Sequence, residues 1–401
     1  MKSHEEKLVA PLSEKKAESG TLRVMIVSEP GIDGVFRHVE ALARFLCSKG
    51  VHTDLAYSSI RGSDALRELI RFVEEHGGYT LDLKTGSWPG PADLSAFCAL
   101  LRFVKQRRPH LLHAHSSKAG ALVRAMRFRG MEVPLFYTPH AYYGMGRRRS
   151  PLPLLFDWIE ASLSRVGRTI NVSNTEAEYA HVKLGVPRES QLLIPNGIDC
   201  ERFCPATEEA RAKIRQSLGL PRDALVLGTV ARYCYQKDPL TLHKAVRSVL
   251  QRHSRLWFVH IGKGQPLWDE VDALGAHDRV LRIESVQPID SFYKSLDAFV
   301  LASRYEGFSL SLLEAIATNL PLILTRVDGN VDLDQIGLNH LYWAPPNNAD
   351  ALAGAINSWV LSHPISVNHR EIACKYFRDD VTHNRILREY QMAAVSSHIA
   401  T

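Results

Sequence analysis

The chain has 401 residues, of which 45% are hydrophobic and 23% are charged, which is the composition of an ordinary folded protein. Its length is enough for two domains, and the sequence has no run of eighteen apolar residues that could form a membrane-spanning helix. The net charge is +6, and residues 101–150 alone hold 11 basic side chains against one acidic side chain, Glu132. This local excess favours an anionic partner for the segment.

The first 21 residues are polar, rich in Lys and Glu, and lack the apolar core of a secretory signal. We predict a disordered lead over residues 1–21. The six cysteines form no Cys-x-x-Cys pair, which in a chain of this length favours free thiols in a reducing compartment. We therefore expect a cytoplasmic protein.

Residues 22–195 alternate between apolar strand patterns and helix patterns. Strands are predicted at residues 22–28, 51–57, 80–83, 111–114, 135–138, 168–172 and 191–194. Helices are predicted at residues 35–49, 65–75, 94–106, 154–165 and 175–184. This alternation predicts an α/β, doubly wound, Rossmann-like domain in which helices cover both faces of a parallel sheet.

A polar, proline-containing segment from residue 195 to about residue 223 interrupts this pattern, and we place the domain boundary between residues 195 and 196. Further strands are predicted at residues 225–231, 256–261, 298–302 and 320–325, and further helices at 239–251, 309–318, 349–361 and 380–393. They predict a second Rossmann-like domain over residues 196–379. A C-terminal helix within residues 380–401 is expected to pack back on the first domain.

Two carboxylates, Glu306 and Glu314, mark the strand–helix–strand unit of residues 298–325. Eight helical steps span roughly 12 Å and complete nearly whole turns, so both carboxylates can face one side. That span suits the distance from the sugar to the ribose of a nucleotide sugar, and the turn at Gly307 precedes a helix N-terminus that can bind an anion. From spacing alone the alternative is that Glu306 complements the helix dipole and Glu314 is solvated.

The same unit resembles the signature of the family 4 retaining glycosyltransferases, which is Glu-Gly-Phe-Gly-Leu, Glu-Ala, Gly-x-Pro and Gly-Gly-x-x-Glu. Here it reads Glu306-Gly307-Phe308-Ser309-Leu310, Glu314-Ala315, Asn319-Leu320-Pro321 and Asp328-Gly329-Asn330-Val331-Asp332. Glycines of the pattern are replaced at Ser309, Asn319 and Asp328. Asn319 is a compatible replacement, because asparagine tolerates the left-handed conformation of a helix C-terminus.

This resemblance, which extends from residue 22 to the C-terminus, implies the GT-B fold, in which two Rossmann-like domains face each other across a cleft. It implies a retaining, metal-independent hexosyltransferase of polysaccharide biosynthesis that needs no cofactor beyond its nucleotide-sugar co-substrate. We expect a UDP-sugar donor and a hydroxyl of a glycan or lipid-linked acceptor. By the resemblance Glu306 contacts the donor sugar and Glu314 the ribose. Donor contacts are also implied for Gly307, Phe308, Ser309 and Leu310.

Two cations, Arg232 and Lys237, follow the first strand of the second domain, where the family has Gly-Arg-Leu and then Lys-Gly. Cations on one strand-exit loop can neutralise a diphosphate from two directions, although a surface charge pair is the alternative. Gly262 lies in a Gly-Lys-Gly turn that resembles the family's turn near the nucleotide. The resemblance thus implies a catalytic set of Glu306, His140, Arg232 and Lys237.

His140 lies in Thr-Pro-His-Ala, where the family has Thr-x-His-Gly and its histidine lines the donor-sugar site. Gly34 and His38 lie where the family has Gly-Gly-Val-x-Arg-His-Val, with Asp33 in place of the first glycine. Together with His115 and Ser116, they are predicted to line the acceptor side of the cleft. Each histidine could instead be a packed structural residue.

No metal site is predicted. His113 and His115 are two residues apart on one strand, but no acidic third ligand is near. Asp332 and Asp334 form the only strict Asp-x-Asp motif, which we interpret as capping of the helix that they begin.

Two alternatives stay open: a nucleotide-sugar epimerase or hydrolase of the same fold, and a non-enzymic sugar-nucleotide or nucleic-acid binding protein. No recognised nucleic-acid module accompanies the basic segment, so we do not expect a nucleic-acid partner. Three arginines at residues 147–149 precede the apolar Leu152, Leu154 and Leu155, a combination used in interfacial binding. We predict peripheral contact with the anionic inner face of a membrane, or else pairing of these arginines with acids or an anionic acceptor.

Overall fold

The computed structural model describes residues 21–145, 151–362 and 367–399. Apart from Thr21, the predicted disordered lead lies outside the described residues, and so do Arg147, Arg148 and Arg149. Within the described ranges the chain forms two parallel sheets of seven and six strands, flanked by helices. The predicted α/β class with two doubly wound domains is confirmed.

The first sheet has the strand order β3-β2-β1-β4-β5-β6-β7, and all its pairings are parallel. Its strands are β1 (Arg23–Ser28), β2 (His52–Tyr57), β3 (Thr80–Asp82), β4 (Leu111–His115), β5 (Leu135–Thr138), β6 (Arg168–Asn171) and β7 (Gln191–Leu193). Its helices are α1 (Asp33–Ser48), α2 (Asp64–Glu75), α3 (Ala92–Arg107), α4 (Ser117–Ala125), α5 (Pro151–Ser162) and α6 (Asn174–Val182).

The second sheet has the order β10-β9-β8-β11-β12-β13 and is also parallel. Its strands are β8 (Leu225–Val230), β9 (Leu256–Ile261), β10 (Val280–Ile283), β11 (Ala298–Leu301), β12 (Leu322–Thr325) and β13 (Leu341–Ala344). The helices from here to the end of the chain are α7 (Glu208–Ser217), α8 (Pro239–Leu250), α9 (Leu267–Asp272), α10 (Ile289–Ser295), α11 (Leu310–Ala317), α12 (Ala349–Ser362), α13 (His369–Tyr376) and α14 (Asp379–Ile399).

The order of the strands reverses once in each sheet, between β1 and β4 and between β8 and β11. At such a reversal the loops that follow the two central strands diverge, and ligands of doubly wound sheets bind in the crevice that this leaves. The loop after β1 leads directly to Gly34 in the first turn of α1, and the loop after β4 carries Ser116. The loops after β8 and β11 carry Arg232 and Glu306. The topology therefore places predicted site residues at both crevices.

The strands are easy to recognise in the sequence because a parallel sheet covered on both faces consists of nearly continuous apolar runs. Residues 24–27 of β1 are completely buried, and all four residues of β11 are too. Helix α7 was not predicted, since it lies in the segment that we interpreted as a polar linker. Its anchor is the buried guanidinium of Arg215, which donates to the carbonyl oxygens of Ser295 and Ala224 and pairs with Asp297.

The C-terminal helix α14 packs against the first domain rather than the second. Ile386, Leu387 and Tyr390 join the apolar core between α1 and the first sheet. Glu389 forms an ion pair with Arg168 of β6, with 2.5 Å between the charged atoms. The chain therefore crosses back between the domains near its end.

The basic segment at residues 101–150 is less uniformly exposed than its composition indicates. Arg124, which we expected to add to a positive surface, is buried and forms an ion pair with Glu160 at 2.6 Å. Arg107 pairs with Asp54 and Lys118 with Asp93. Five described basic residues of this segment remain exposed, namely Arg102, Lys105, Arg108, Arg127 and Arg129.

Candidate active site

The crevice of the second sheet is organised around the carboxylate of Glu306. This side chain is 5% exposed, and it forms an ion pair with Lys237 from the loop after β8. Ser303 donates its hydroxyl to the same carboxylate at 2.5 Å, and Gln236 donates to the carbonyl oxygen of Tyr305 at 3.1 Å. Two neighbouring strand-exit loops thus hold the Glu306 carboxylate in a fixed position with its charge compensated.

Two glycines allow backbones to approach closely beside Glu306, Gly307 between the two domains and Gly329 within the second domain. A Cβ on Gly307 would lie 2.9 Å from the backbone nitrogen of Ala141, which belongs to the loop after β5 in the first domain. A Cβ on Gly329, whose φ is +81°, would lie 2.2 Å from the carbonyl oxygen of Gly307. Any side chain at either position would push these backbones apart, so glycine is required at both.

Arg232 lies at the same crevice, and its Nε atom is 3.4 Å from an Oδ atom of Asp33 at the start of α1. Its loop is packed closely from behind, since a Cβ on Gly262 would lie 2.0 Å from the carbonyl oxygen of Ala231. The Arg232 side chain is 45% exposed, so it is accessible to a ligand in the cleft. Asp33 has a φ of +68° where the family has glycine, so this backbone keeps the conformation that glycine favours.

Glu314 is completely buried on α11 and forms an ion pair with Arg37 of α1. The hydroxyl of Tyr293 donates to its other oxygen at 2.6 Å. Arg37 belongs to the first domain and Glu314 to the second, so this ion pair joins the domains. The carboxylate predicted to bind ribose is therefore in contact with protein groups of both domains.

Three histidines of the first domain meet opposite these groups. His115 and His140 approach each other with 3.1 Å between Nδ1 and Nε2, and the ring of His38 lies 4.8 Å from that of His140. Burial lowers the pKa of His140 to about 3. Burial, together with the neighbouring histidines, lowers the pKa values of His38 and His115 well below the usual range. All three imidazoles are therefore neutral near pH 7 and can donate or accept hydrogen bonds.

The same three histidines are the described side chains that could hold a metal ion, since one ring nitrogen of each lies within 4.8 Å of the others. The Nε2 atoms of His38 and His115 are buried without a hydrogen-bond partner among the described residues. They are available to a ligand, whether a metal or a hydroxyl group.

The Asp-x-Asp motif has a different environment from the one we predicted. Asp332 accepts a hydrogen bond from the backbone nitrogen of Asn174, so it lies at the N-terminus of α6 in the other domain. Asp334 pairs with Arg326 at 2.6 Å. Both acids lie in the first turn of a short 3₁₀ helix from Val331 to Gln335, as expected, but neither forms a side-chain cap there.

The remaining predicted residues support the two crevices. Ser116 is the N-cap of α4, and Gly34 lies at the start of α1, where a Cβ would be 3.8 Å from Leu310. Ser309 precedes the first residue of α11. Phe308 is buried, and its carbonyl oxygen accepts a hydrogen bond from Asn196 at 2.7 Å. Phe308, which is implied to contact the donor, therefore also packs in the core of the protein.

A cavity of about 580 Å³ adjoins these groups between α1, residues 197–203 and the start of α14. Arg37 and His38 line it from the first domain, and Leu310 lines it from the second. Arg37 was not predicted as a site residue, although it stands in the Arg-His-Val motif, and neither were Glu176 and Tyr293. The contacts of Arg37 and Tyr293 with Glu314, and of Glu176 with Ala141, join different elements of the fold, so the spacing of residues in the sequence could not predict them.

The protein has two Rossmann-like domains on either side of a cleft. One side carries a paired carboxylate and cations, and the other carries neutral histidines. This arrangement defines a GT-B protein. Residues 32–202 match the family described as Glycosyltransferase Family 4, and residues 210–376 match Glycosyl transferases group 1. The chain belongs to family 4 of the glycosyltransferases.

Two curated relatives illustrate the range of the family. The UDP-Gal:alpha-D-GlcNAc-diphosphoundecaprenol alpha-1,3-galactosyltransferase of Escherichia coli is 30% identical over 59% of this chain and 63% of its own length. A D-inositol 3-phosphate glycosyltransferase of Corynebacterium urealyticum is 27% identical over 60% of this chain and 61% of its own length. The chain thus covers less than two thirds of either relative.

Solved structures support the fold over a longer stretch. Anabaena Alr3699/HepE, crystallised with UDP and glucose, superposes with a TM-score of 0.76 at 18% identity. The superposition covers 92% of this chain and 99% of the Anabaena chain. At this identity the similarity establishes the GT-B fold alone.

Proposed function

We propose that this protein transfers a hexosyl group from a UDP-sugar to a hydroxyl of a glycan or lipid-linked acceptor, with retention at the anomeric carbon. The observation that carries this proposal is the Glu306–Lys237 pair at the strand exits, with the His140–Ala141 backbone in contact with Gly307 beside it. The relative from Escherichia coli, whose name gives a UDP-galactose donor and a diphosphoundecaprenol-linked acceptor, supports the same substrate classes.

Arg232, Lys237 and the amides at the start of α11 bind the diphosphate of the donor. A guanidinium, an ammonium and a helix N-terminus provide positive potential from three directions, so no metal ion is required to neutralise the leaving group. The close packing of Gly262 against the Arg232 loop keeps that guanidinium beside the nucleotide. Glu314 binds the ribose hydroxyls once opening of the cleft has removed Arg37.

The reaction is a substitution at the anomeric carbon. The bond from this carbon to the diphosphate oxygen breaks, and a bond to the acceptor oxygen forms on the same face. The acceptor proton passes to the departing phosphate oxygen, so the protein supplies no nucleophile. Arg232 and Lys237 stabilise the charge that develops on the phosphate, and Glu306 and neutral His140 orient the sugar.

The acceptor hydroxyl enters from the first domain, beside Gly34, His38, His115 and Ser116. The unpartnered Nε2 atoms of His38 and His115 provide hydrogen-bonding sites for hydroxyl groups there. A neutral imidazole suits this role, because it can accept from one hydroxyl and donate to another.

A lipid-linked acceptor requires the cleft to work beside a membrane, and we propose a peripheral contact with the cytoplasmic face of an anionic bilayer. No described helix is both long and apolar enough to cross a bilayer. Helix α5 instead exposes Leu152, Leu154, Leu155 and Trp158, the last of which is 68% exposed. Exposed apolar side chains on a helix that follows three arginines in the sequence, at residues 147–149, favour interfacial binding.

Calorimetric titration with the diphosphates of uridine, guanosine and adenosine tests the donor. We expect uridine diphosphate to bind at least tenfold more tightly than the other two. Equal affinities, or preference for another base, would exclude the UDP-sugar. Absence of binding by any of the three would remove the nucleotide-sugar proposal itself.

A further inference from the structure

The loop that carries His140 has an unusual backbone. His140 and Ala141 are consecutive non-glycine residues, and their φ angles are +57° and +87°. Residues with a Cβ rarely adopt this region, so two in succession need surrounding contacts that hold them there. One such contact is the backbone nitrogen of Ala141, which donates a hydrogen bond to the carboxylate of Glu176 at 2.6 Å.

Glu176 connects this loop to the strand beside it. Its second carboxylate oxygen accepts from the backbone nitrogen of Val172, also at 2.6 Å. The side chain is completely buried, and Glu176 is the third residue of α6, where its own nitrogen donates to the N-cap hydroxyl of Ser173. The carboxylate is therefore fixed by a helix start while it joins two separate segments.

A carboxylate is the side chain that this position requires. It accepts two hydrogen bonds at once, one on each oxygen, whereas glutamine would turn an NH₂ group towards one of the two backbone donors. Burial raises the pKa of Glu176 to about 7, although both backbone donors act to lower it. Keeping a carboxyl group in such a place is unfavourable, which indicates that its contacts have a purpose beyond filling space.

The second domain contacts the same part of the first. Gly307 packs on the Ala141 nitrogen, and the backbone nitrogen of Gly329 donates to the hydroxyl of Thr175 at 2.7 Å. Asp332 accepts from the nitrogen of Asn174. The His140–Ala141 peptide therefore lies between Glu176 and the loop that follows Glu306.

We propose that Glu176 is a positioning residue that fixes the His140 imidazole against the donor sugar, a role that rests on the proposed glycosyl transfer. Glu176 acts through the backbone of Ala141 and touches no substrate. Its contribution should therefore appear in turnover and not in the binding of free nucleotide, which takes place in the second domain.

The test is a double-mutant cycle between Glu176→Gln and His140→Asn, with kcat and the affinity for free uridine diphosphate measured for each protein. We expect Glu176→Gln to lower kcat by about 10- to 100-fold, as misplacement of a catalytic group does, with unchanged diphosphate affinity. In the His140→Asn background the same change should have little further effect. Glu178→Gln is the matched control, because Glu178 lies on the same helix, is exposed and pairs with Arg188.

Wild-type turnover in Glu176→Gln, or losses that simply multiply in the double variant, would overturn the proposal. If Glu176→Gln fails to fold, Glu176→Asp replaces it, since this variant keeps the charge but withdraws the carboxylate from Ala141. Wild-type kcat in Glu176→Asp would likewise overturn the proposal. A failure of the proposed function is distinct, because the wild-type protein itself would then transfer no sugar.

Discussion

Arg37 of α1 forms an ion pair with Glu314 of α11, and the Glu314 carboxylate has no exposed surface. The two residues belong to different domains, so the ion pair joins the two sides of the cleft. If Glu314 binds ribose, the nucleotide and Arg37 compete for one carboxylate. Donor binding must then displace Arg37 from Glu314.

Replacing Arg37 by glutamine should tighten the binding of free uridine diphosphate by about tenfold, which is about 1.4 kcal/mol, because the competing ion pair is lost. Calorimetry measures this directly. Arg67→Gln is the control, since Arg67 lies on the neighbouring helix α2, is exposed and pairs with Asp64 of its own helix. Weaker binding by Arg37→Gln would mean that Arg37 is itself a nucleotide ligand and that the competition does not exist.

Replacing Glu314 by alanine should have the opposite effect and weaken free nucleotide by about 1.5–3 kcal/mol, the range for hydrogen bonds to charged groups. Glu306→Gln should leave that affinity nearly intact while it lowers turnover, because Glu306 is proposed to contact the sugar and not the nucleotide. Measuring both quantities for both variants separates the two glutamates. If instead Glu306→Gln weakened nucleotide binding and Glu314→Ala lowered only turnover, the donor would lie in the opposite direction along α11.

Arg232→Ala should weaken uridine diphosphate by about 1.5–3 kcal/mol, because the guanidinium provides a charged contact with the diphosphate. Isothermal calorimetry at fixed salt is the appropriate measurement. Arg252→Ala, an exposed arginine just beyond α8 in the same domain, should leave the affinity unchanged. Equal affinities for the wild type and Arg232→Ala would remove Arg232 from the donor site.

The buried histidines make stability depend on pH. The folded protein holds the pKa values of His113 and His140 near 3 and that of His383 near 4, whereas unfolded histidine has a pKa of 6.5. Between about pH 4 and 6.5 the unfolded chain therefore binds protons that the folded chain excludes. The free energy of unfolding should rise with pH there, by up to about 1.4 kcal/mol per pH unit for each histidine.

The contribution of Glu176 to the free energy of unfolding has the opposite pH dependence, because its pKa of about 7 in the folded protein exceeds its ordinary value of 4.5. It binds a proton in the folded state between these values, so its contribution falls as pH rises through them. Because the buried histidines outnumber this one carboxyl group, the net slope of the free energy of unfolding against pH should stay positive. Urea unfolding from pH 4 to 7.5 measures the slope, and His140→Asn should make it shallower. A flat profile for the wild type would contradict the burial of neutral histidines.

The apolar surface of α5 should be needed for membrane contact. Liposome flotation at low salt should recover the wild type with anionic vesicles, and Leu154→Ser with Trp158→Ser should abolish this recovery, because both side chains are more than half exposed. Leu361→Ser, at an equally exposed leucine of the second domain, is the control. Equal recovery with neutral vesicles, or no effect of high salt, would rule out the electrostatic part of the contact.

Much of the fold follows from local pattern. The buried parallel strands are apolar runs, and Asn319, predicted to accept a left-handed conformation in place of glycine, has a φ of +64°. The missed helix α7 shows the limit of such patterns, since its buried anchor is the charged Arg215. A pattern of apolar residues cannot reveal a helix whose buried anchor is a charged side chain.

The contacts that assemble the site cannot be predicted from the spacing of residues in the sequence. Arg37 and Glu314 are 277 positions apart, and Ala141 and Glu176 meet only because their strands are neighbours. Asp332 was misinterpreted for the same reason, because the helix that it contacts belongs to the other domain. Residue types at strand ends indicated which side chains to consider, but their partners depend on how the two domains face each other.

The most direct test of the account is product analysis by NMR after incubation of the protein with a UDP-sugar, a lipid-linked acceptor and a chelator. We expect release of uridine diphosphate and a new glycosidic bond whose anomeric configuration is that of the donor. We also expect the reaction to proceed without divalent metal, because Arg232, Lys237 and the α11 amides are proposed to stabilise the leaving group. An inverted linkage, an epimerised nucleotide sugar, or free sugar as the only product would contradict it.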